Sequence, residues 1–116
     1  MSAGIELALG RVLLAGLFFA GAVQKAVNPG AAQALLSGFG LPEWLVWPAL
    51  VFTLGAALLL VAGIALRPVA LSLAAYCIAT SAFHFIPSDP WQMSIFAKNW
   101  AIAGGFLVLA GHAAQG

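Results

Sequence analysis

The sequence predicts an all-α fold: a four-helix antiparallel transmembrane bundle, with a short interfacial helix between the first and second spans. Three observations predict it. Hydrophobic residues make up 64% of the 116 residues and charged residues 6%, against roughly 25% charged in an ordinary soluble domain. Mean hydropathy is +1.09, and a water-facing surface that apolar would aggregate. The seven charges, Glu6, Arg11, Lys25, Glu43, Arg67, Asp89 and Lys98, divide the chain into four pieces near the ~20 residues that cross a bilayer. The apolar runs are also continuous, without the alternation of a barrel strand.

The first span is expected over residues 5–23, with Arg11 as its one interior charge, and Asn28-Pro29-Gly30 stops it. No Lys or Arg occurs in the first ten residues, so this span should be a retained helix and not a cleaved signal. Asn28 can cap, and Pro29 can open, a short helix running to Ser37. Gly38 and Gly40 close it, and Ala34, Leu35, Leu36 and Phe39 suit it to a membrane surface. The second span, 44–66, is uncharged and ends at Arg67-Pro68. The third, 69–85, stops at the proline-bearing stretch 86–94; the fourth, 95–112, carries Lys98 and Asn99 in its first turn. Together they make one domain over residues 1–116, without an internal repeat.

Lipid supplies no hydrophobic drive between helices, so small residues should form the seams. Gly16 with Ala20, Ala75 with Ala79, and Ala97 with Ala101 and Gly105 have the required spacing. Four crossings put both termini on one side. They collect Trp44, Trp47, Trp91 and Trp100 on the other, where indoles favour the interfacial belt. Lys25, Glu43, His84, Asp89 and Lys98 gather at that same end. Arg67 and Arg11 nearly balance Lys25 and Lys98, so the positive-inside rule decides little. Because the lysines read as site residues, the termini are expected in the cytoplasm and the chain in the inner, or plasma, membrane.

Composition excludes several functions. A net charge of +1 gives no reason to expect nucleic acid as a partner, and the single Cys77 forms no internal disulfide. There is no Gly-rich phosphate loop, no metal-ligand spacing and no Ser/His/Asp set. His84 and His112 fall near opposite faces, about 20 Å apart by helix rise, too far to share a haem iron. Cys77, mid-span, reads as a packed small hydrophobe.

What remains is a short list of polar groups. His84 closes an apolar run and can donate, accept or exchange a proton near neutral pH. It follows Tyr76 and Thr80 at spacing four; Thr80 and Ser81 are expected to bond back to their own helix. Lys25 ends the first span. Lys98, expected at a helix N-terminus, opposes the dipole there and asks for a partner. Lys25, His84, Lys98 and Asn99 form the candidate ligand or proton site, with Glu43 and Asp89 as ion-pair partners; structural ion pairing is the plainer reading. Arg11 lies two turns into its span, where an arginine must snorkel, pair or hold an anion.

The order of motifs resembles the DoxX family of small membrane proteins. Arg11, then Phe18-Phe19-Ala20-Gly21 and Lys25, look like its opening. Gly40-Leu41-Pro42, His84-Phe85, Lys98-Asn99 and Gly104-Gly105 look like its later landmarks, so that the likeness runs over nearly the whole chain. The resemblance implies a four-helix membrane fold and an association with redox chemistry, though the family label names a fold better than a reaction. It suggests a redox-associated accessory or anchor subunit, working with a soluble or membrane oxidoreductase partner and with a lipid quinone as candidate ligand. The quinone tail would lie among Phe18, Phe19, Phe83 and Phe85. His84 would bond its head while Lys25 or Lys98 stabilised negative charge. Two alternatives stay open: a catalytic quinone-reducing or quinone-oxidising subunit, and a small transporter or channel built as a homo-oligomer. Whether the chain is an enzyme is left undecided.

Overall fold

The computed structural model describes residues 3–115. Among them every regular element is helical: α1, Ala3–Val27; α2, Pro29–Gly38; α3, Val46–Ala62; α4, Leu66–Ser81; and α5, Pro90–Gln115. Short 3-10 turns at Glu43–Leu45 and Ala82–His84 lead into α3 and out of α4. Four stretches are long and apolar enough to cross a membrane, Gly4–Val27, Glu43–Ala62, Leu66–His84 and Pro90–Ala114. The chain divides into two compact units, Met1–Ile64 and Ala65–Gly116. Each is built on a helical hairpin.

In the first hairpin α1 packs on α3. Gly63, just past the end of α3, lies against Arg11 near the start of α1, so the two helices are antiparallel. The buried side chains are Ala15, Phe18 and Ala22 on α1, and Val46, Thr53, Ala56, Ala57 and Leu60 on α3. Spacings of three, four and seven keep each set on one face. Thr53 is tolerated there because its hydroxyl donates to the carbonyls of Ala49 and Leu50, at 2.9 and 3.1 Å. The short α2 buries none of its side chains. Asn28 stands at its cap position but makes no side-chain capping bond, so the expected role of that side chain is not realised. Pro29 at the first helical position starts the helix instead, its fixed φ already helical.

In the second hairpin α4 packs on α5. Arg67 Nη1 donates to the Ala110 carbonyl at 3.2 Å, joining the start of α4 to the far end of α5. The direction is again antiparallel. Ala70, Leu73, Ala74, Cys77 and Ser81 are buried on α4, and Ala103, Phe106, Leu109 and Ala110 on α5. Thr80 and Ser81 bond back to Tyr76 and Ile78, at 2.7 and 2.6 Å, as expected of hydroxyls in a membrane helix.

Boundaries move from the sequence expectation at several places: α1 runs past residue 23 to Val27 and α5 past residue 112 to Gln115. The second span ends at Gly63, whose φ of +74° places it in the left-handed region. Its N–H and that of Ile64 both bond the Leu59 carbonyl, at 2.9 and 3.1 Å, the closing pattern of a helix C-terminus. Arg67 and Pro68 therefore lie inside the first turn of α4, where a proline's missing N–H has no partner to lose. The fourth helix starts at Pro90 rather than at residue 95. The small-residue seams also differ. Gly16, Ala20, Ala75, Ala79, Ala97, Ala101 and Gly105 are all exposed, and the close contacts fall to Ala15, Ala22, Ala56, Ala57, Ala70, Ala74, Ala103 and Ala110.

Candidate functional site

The second hairpin holds a polar pair where α4 gives way to α5. The 3-10 turn after Ser81 takes His84 out of α-helical register with Tyr76 and Thr80. His84 Nδ1 meets Gln92 Oε1 of α5 at 2.7 Å, a short and well-formed bond. Gln92 is in reach because Asp89 and Pro90 start α5 early. Asp89 Oδ1 accepts the backbone N–H groups of Trp91 and Gln92, at 3.0 and 3.3 Å, as an N-cap carboxylate does. The Met93 N–H bonds the Asp89 carbonyl at 3.0 Å and begins the helical ladder.

An aromatic wall adjoins the pair. The rings of Phe85 and Phe96 are 5.2 Å apart at 57°, and those of Phe96 and Trp100 are 6.3 Å apart at 56°, tilted arrangements that aromatic rings favour. On α5, Gln92, Phe96 and Asn99 recur at four and three residues, so they share one face. Ala103 and Phe106 continue it into the core. Asn99 thus stands about 10 Å along the helix from Gln92, half-buried on the same stripe.

Lys98 is turned about 100° from Asn99 and is exposed. It sits eight residues after Pro90, more than two turns into α5, so the expected conflict with a helix N-terminus does not arise. Asp89 supplies the N-cap of that helix, a role the sequence analysis did not assign to it.

Lys25 and Glu43 belong to the first hairpin. Lys25 is half-buried at the end of α1, and a Cβ placed on Gly21 would stand 3.8 Å from its Nζ. The amine therefore folds back along its own helix over Gly21, in the direction helical side chains lean. Glu43 opens the 3-10 turn before α3 and is exposed. Arg11 lies against the left-handed Gly63, where any added Cβ would collide with Nη1. Its charge is thereby placed at the C-terminal, partially negative end of α3.

Sequence reasoning missed Gln92. The signal was present: Asp89-Pro90 has the cap-then-proline order of a helix start, which puts residue 92 on the first turn rather than in a loop. Gly63 was missed likewise, although a glycine closing an apolar run marks a helix end.

Four membrane-length apolar helices, with a hydrogen-bonded histidine at the end of one of them, define a small helical integral membrane protein. Within that class the chain belongs to the DoxX family, whose family model, described as DoxX, matches residues 6–86. The match contains Arg11, Lys25, Gly40-Leu41-Pro42 and His84-Phe85. It stops before Gln92, Lys98, Asn99 and Gly104-Gly105, so the resemblance expected in α5 lies outside the matched residues. No curated protein and no solved structure matches the chain.

Proposed function

We propose that this protein is a redox-associated accessory or anchor subunit of the inner membrane, with its termini in the cytoplasm, and that it takes a lipid quinone as ligand. The observation that carries the reading is His84. One ring nitrogen is bonded to Gln92 at 2.7 Å, within a membrane-length segment, and Phe85, Phe96 and Trp100 form an apolar wall beside the pair. Imidazole can bond a hydroxyl of the reduced quinone head and exchange its proton, while the isoprenoid tail lies in lipid along the apolar helix faces. In this reading electrons pass between the quinone and a soluble or membrane oxidoreductase partner, and the protein supplies binding and anchorage. Family membership agrees with it, since the DoxX resemblance implies redox partners, but the fold alone names no reaction.

The test is purification in detergent, lipid extraction, and titration of a short-tailed benzoquinol, held reduced, against tryptophan fluorescence. Expected are a co-purifying quinone and saturable quenching that His84→Ala weakens by about tenfold or more. An extract without quinone, together with quenching that does not saturate, would overturn the reading.

A further inference from the structure

We propose that Gln92 locks His84 in its Nδ1-protonated tautomer, leaving Nε2 as an open acceptor that selects the reduced, hydroxyl-bearing form of the ligand head. The second half rests on the quinone reading; the first does not. An amide oxygen can only accept, so with Gln92 Oε1 set 2.7 Å from Nδ1 the bond forms with the proton on Nδ1; the amide turned end for end would donate its N–H to Nδ1 instead, and the 15N spectrum below separates the two. In neutral imidazole the other nitrogen then carries a lone pair and no proton. Among the described residues no shielded side-chain nitrogen or oxygen lacks a hydrogen-bond partner. Nε2 of the half-buried His84 has none within its hairpin, so it is accessible. Asp89, the nearest carboxylate in the chain, accepts two backbone N–H bonds at its Oδ1, and the amide of Gln92 is what sets the ring.

The consequence is a difference between two redox states of one head group. A hydroquinone offers hydroxyl donors, which an Nε2 lone pair accepts. A quinone offers only carbonyl acceptors, which face that lone pair with no proton between. Neutral His84 in this tautomer therefore holds the quinol and disfavours the quinone. Gln92 acts through His84 and is a positioning residue.

Two measurements on the detergent-solubilised full chain test this. The first is the 15N spectrum of protein labelled at histidine, at about pH 8 where imidazole is ordinarily neutral. Wild type is expected to show His84 with Nδ1 protonated and Nε2 of the unprotonated, pyridine type. Gln92→Glu keeps an acceptor and preserves that pattern; Gln92→Leu removes it and returns the ring toward the Nε2-protonated form. A wild-type ring protonated at Nε2, or a pattern unchanged in Gln92→Leu, overturns the proposal whether or not quinone binds. The second is calorimetric titration at the same pH with a short-tailed benzoquinol and its oxidised form. Wild type and Gln92→Glu should prefer the quinol by about three- to tenfold, one neutral hydrogen bond, and Gln92→Leu should lose the preference. Equal affinity for both forms overturns the selectivity. With the tautomer intact, failure of wild type to bind either form overturns the quinone reading and the selectivity built on it, while the locked tautomer stands.

Discussion

Arg11 and Gly63 meet at one point of the first hairpin, and each explains the other. A glycine is required at 63 by the backbone, whose φ of +74° suits no side chain well; a Cβ there would also meet the Arg11 guanidinium, the far end of a flexible side chain that can move aside. The arginine in turn gains the partial negative charge at the end of α3, which offsets part of the cost of holding a cation within the span. Gly63→Ala should therefore destabilise the protein by about 1–3 kcal/mol, read as a lowered midpoint in detergent unfolding. Adding Arg11→Ala should restore little of the loss, because the contact is with a movable side-chain end and the backbone strain remains. A Gly63→Ala protein as stable as wild type would mean that this turn relaxes freely. The same residue shows where sequence reading stops. Gly63 was legible as a helix end, but Arg67-Pro68 four residues on looked like the stronger breaker. It is not one, because a proline in a first turn loses no hydrogen bond.

At the scale of elements, the seam between α4 and α5 separates two small-residue stripes that look alike in sequence. Ala101, on the expected stripe, is exposed; Ala103 is 1% exposed beside the fully buried Phe106. Ala103→Leu should overpack the seam and cost about 1–3 kcal/mol, whereas Ala101→Leu should leave the unfolding midpoint nearly unchanged. Equal losses from both would show that the Ala101 face is also covered in the membrane. Choosing between the stripes from sequence fails for a physical reason. In water the buried face is marked by hydrophobicity, but in lipid both faces are apolar, and alanine and glycine recur on every side of these helices. The start of α5 was more accessible to reasoning. Asp89 and Pro90 form a cap and first position, and reading them so would have brought Gln92 next to His84.

For the whole molecule, the relevant quantity is which side of the membrane each connection faces. With the termini in the cytoplasm, Ser37 before the second span and Ser88 before the fourth should both face away from it. A Cys77→Ala protein carrying Ser37→Cys or Ser88→Cys should then react with a membrane-impermeant maleimide added to intact cells. Labelling at either position only after the membrane is broken would reverse the proposed orientation. Lys25 and Glu43 are placed by the first hairpin, and Lys98 and Asn99 by the second.

The sequence by itself determined the solvent and the element type. Twenty-residue apolar runs with seven charges in 116 residues are compatible with helices in lipid and with little else, because every backbone polar group must be satisfied within its own segment. It also singled out His84 and the DoxX order of motifs. Only the tertiary structure decided which small residues pack, that Arg11 ends on Gly63, and that Gln92 holds one nitrogen of His84. Those outcomes depend on which helix faces meet and on a few ångströms of side-chain reach, and an apolar sequence in an apolar solvent carries almost no pattern that records them.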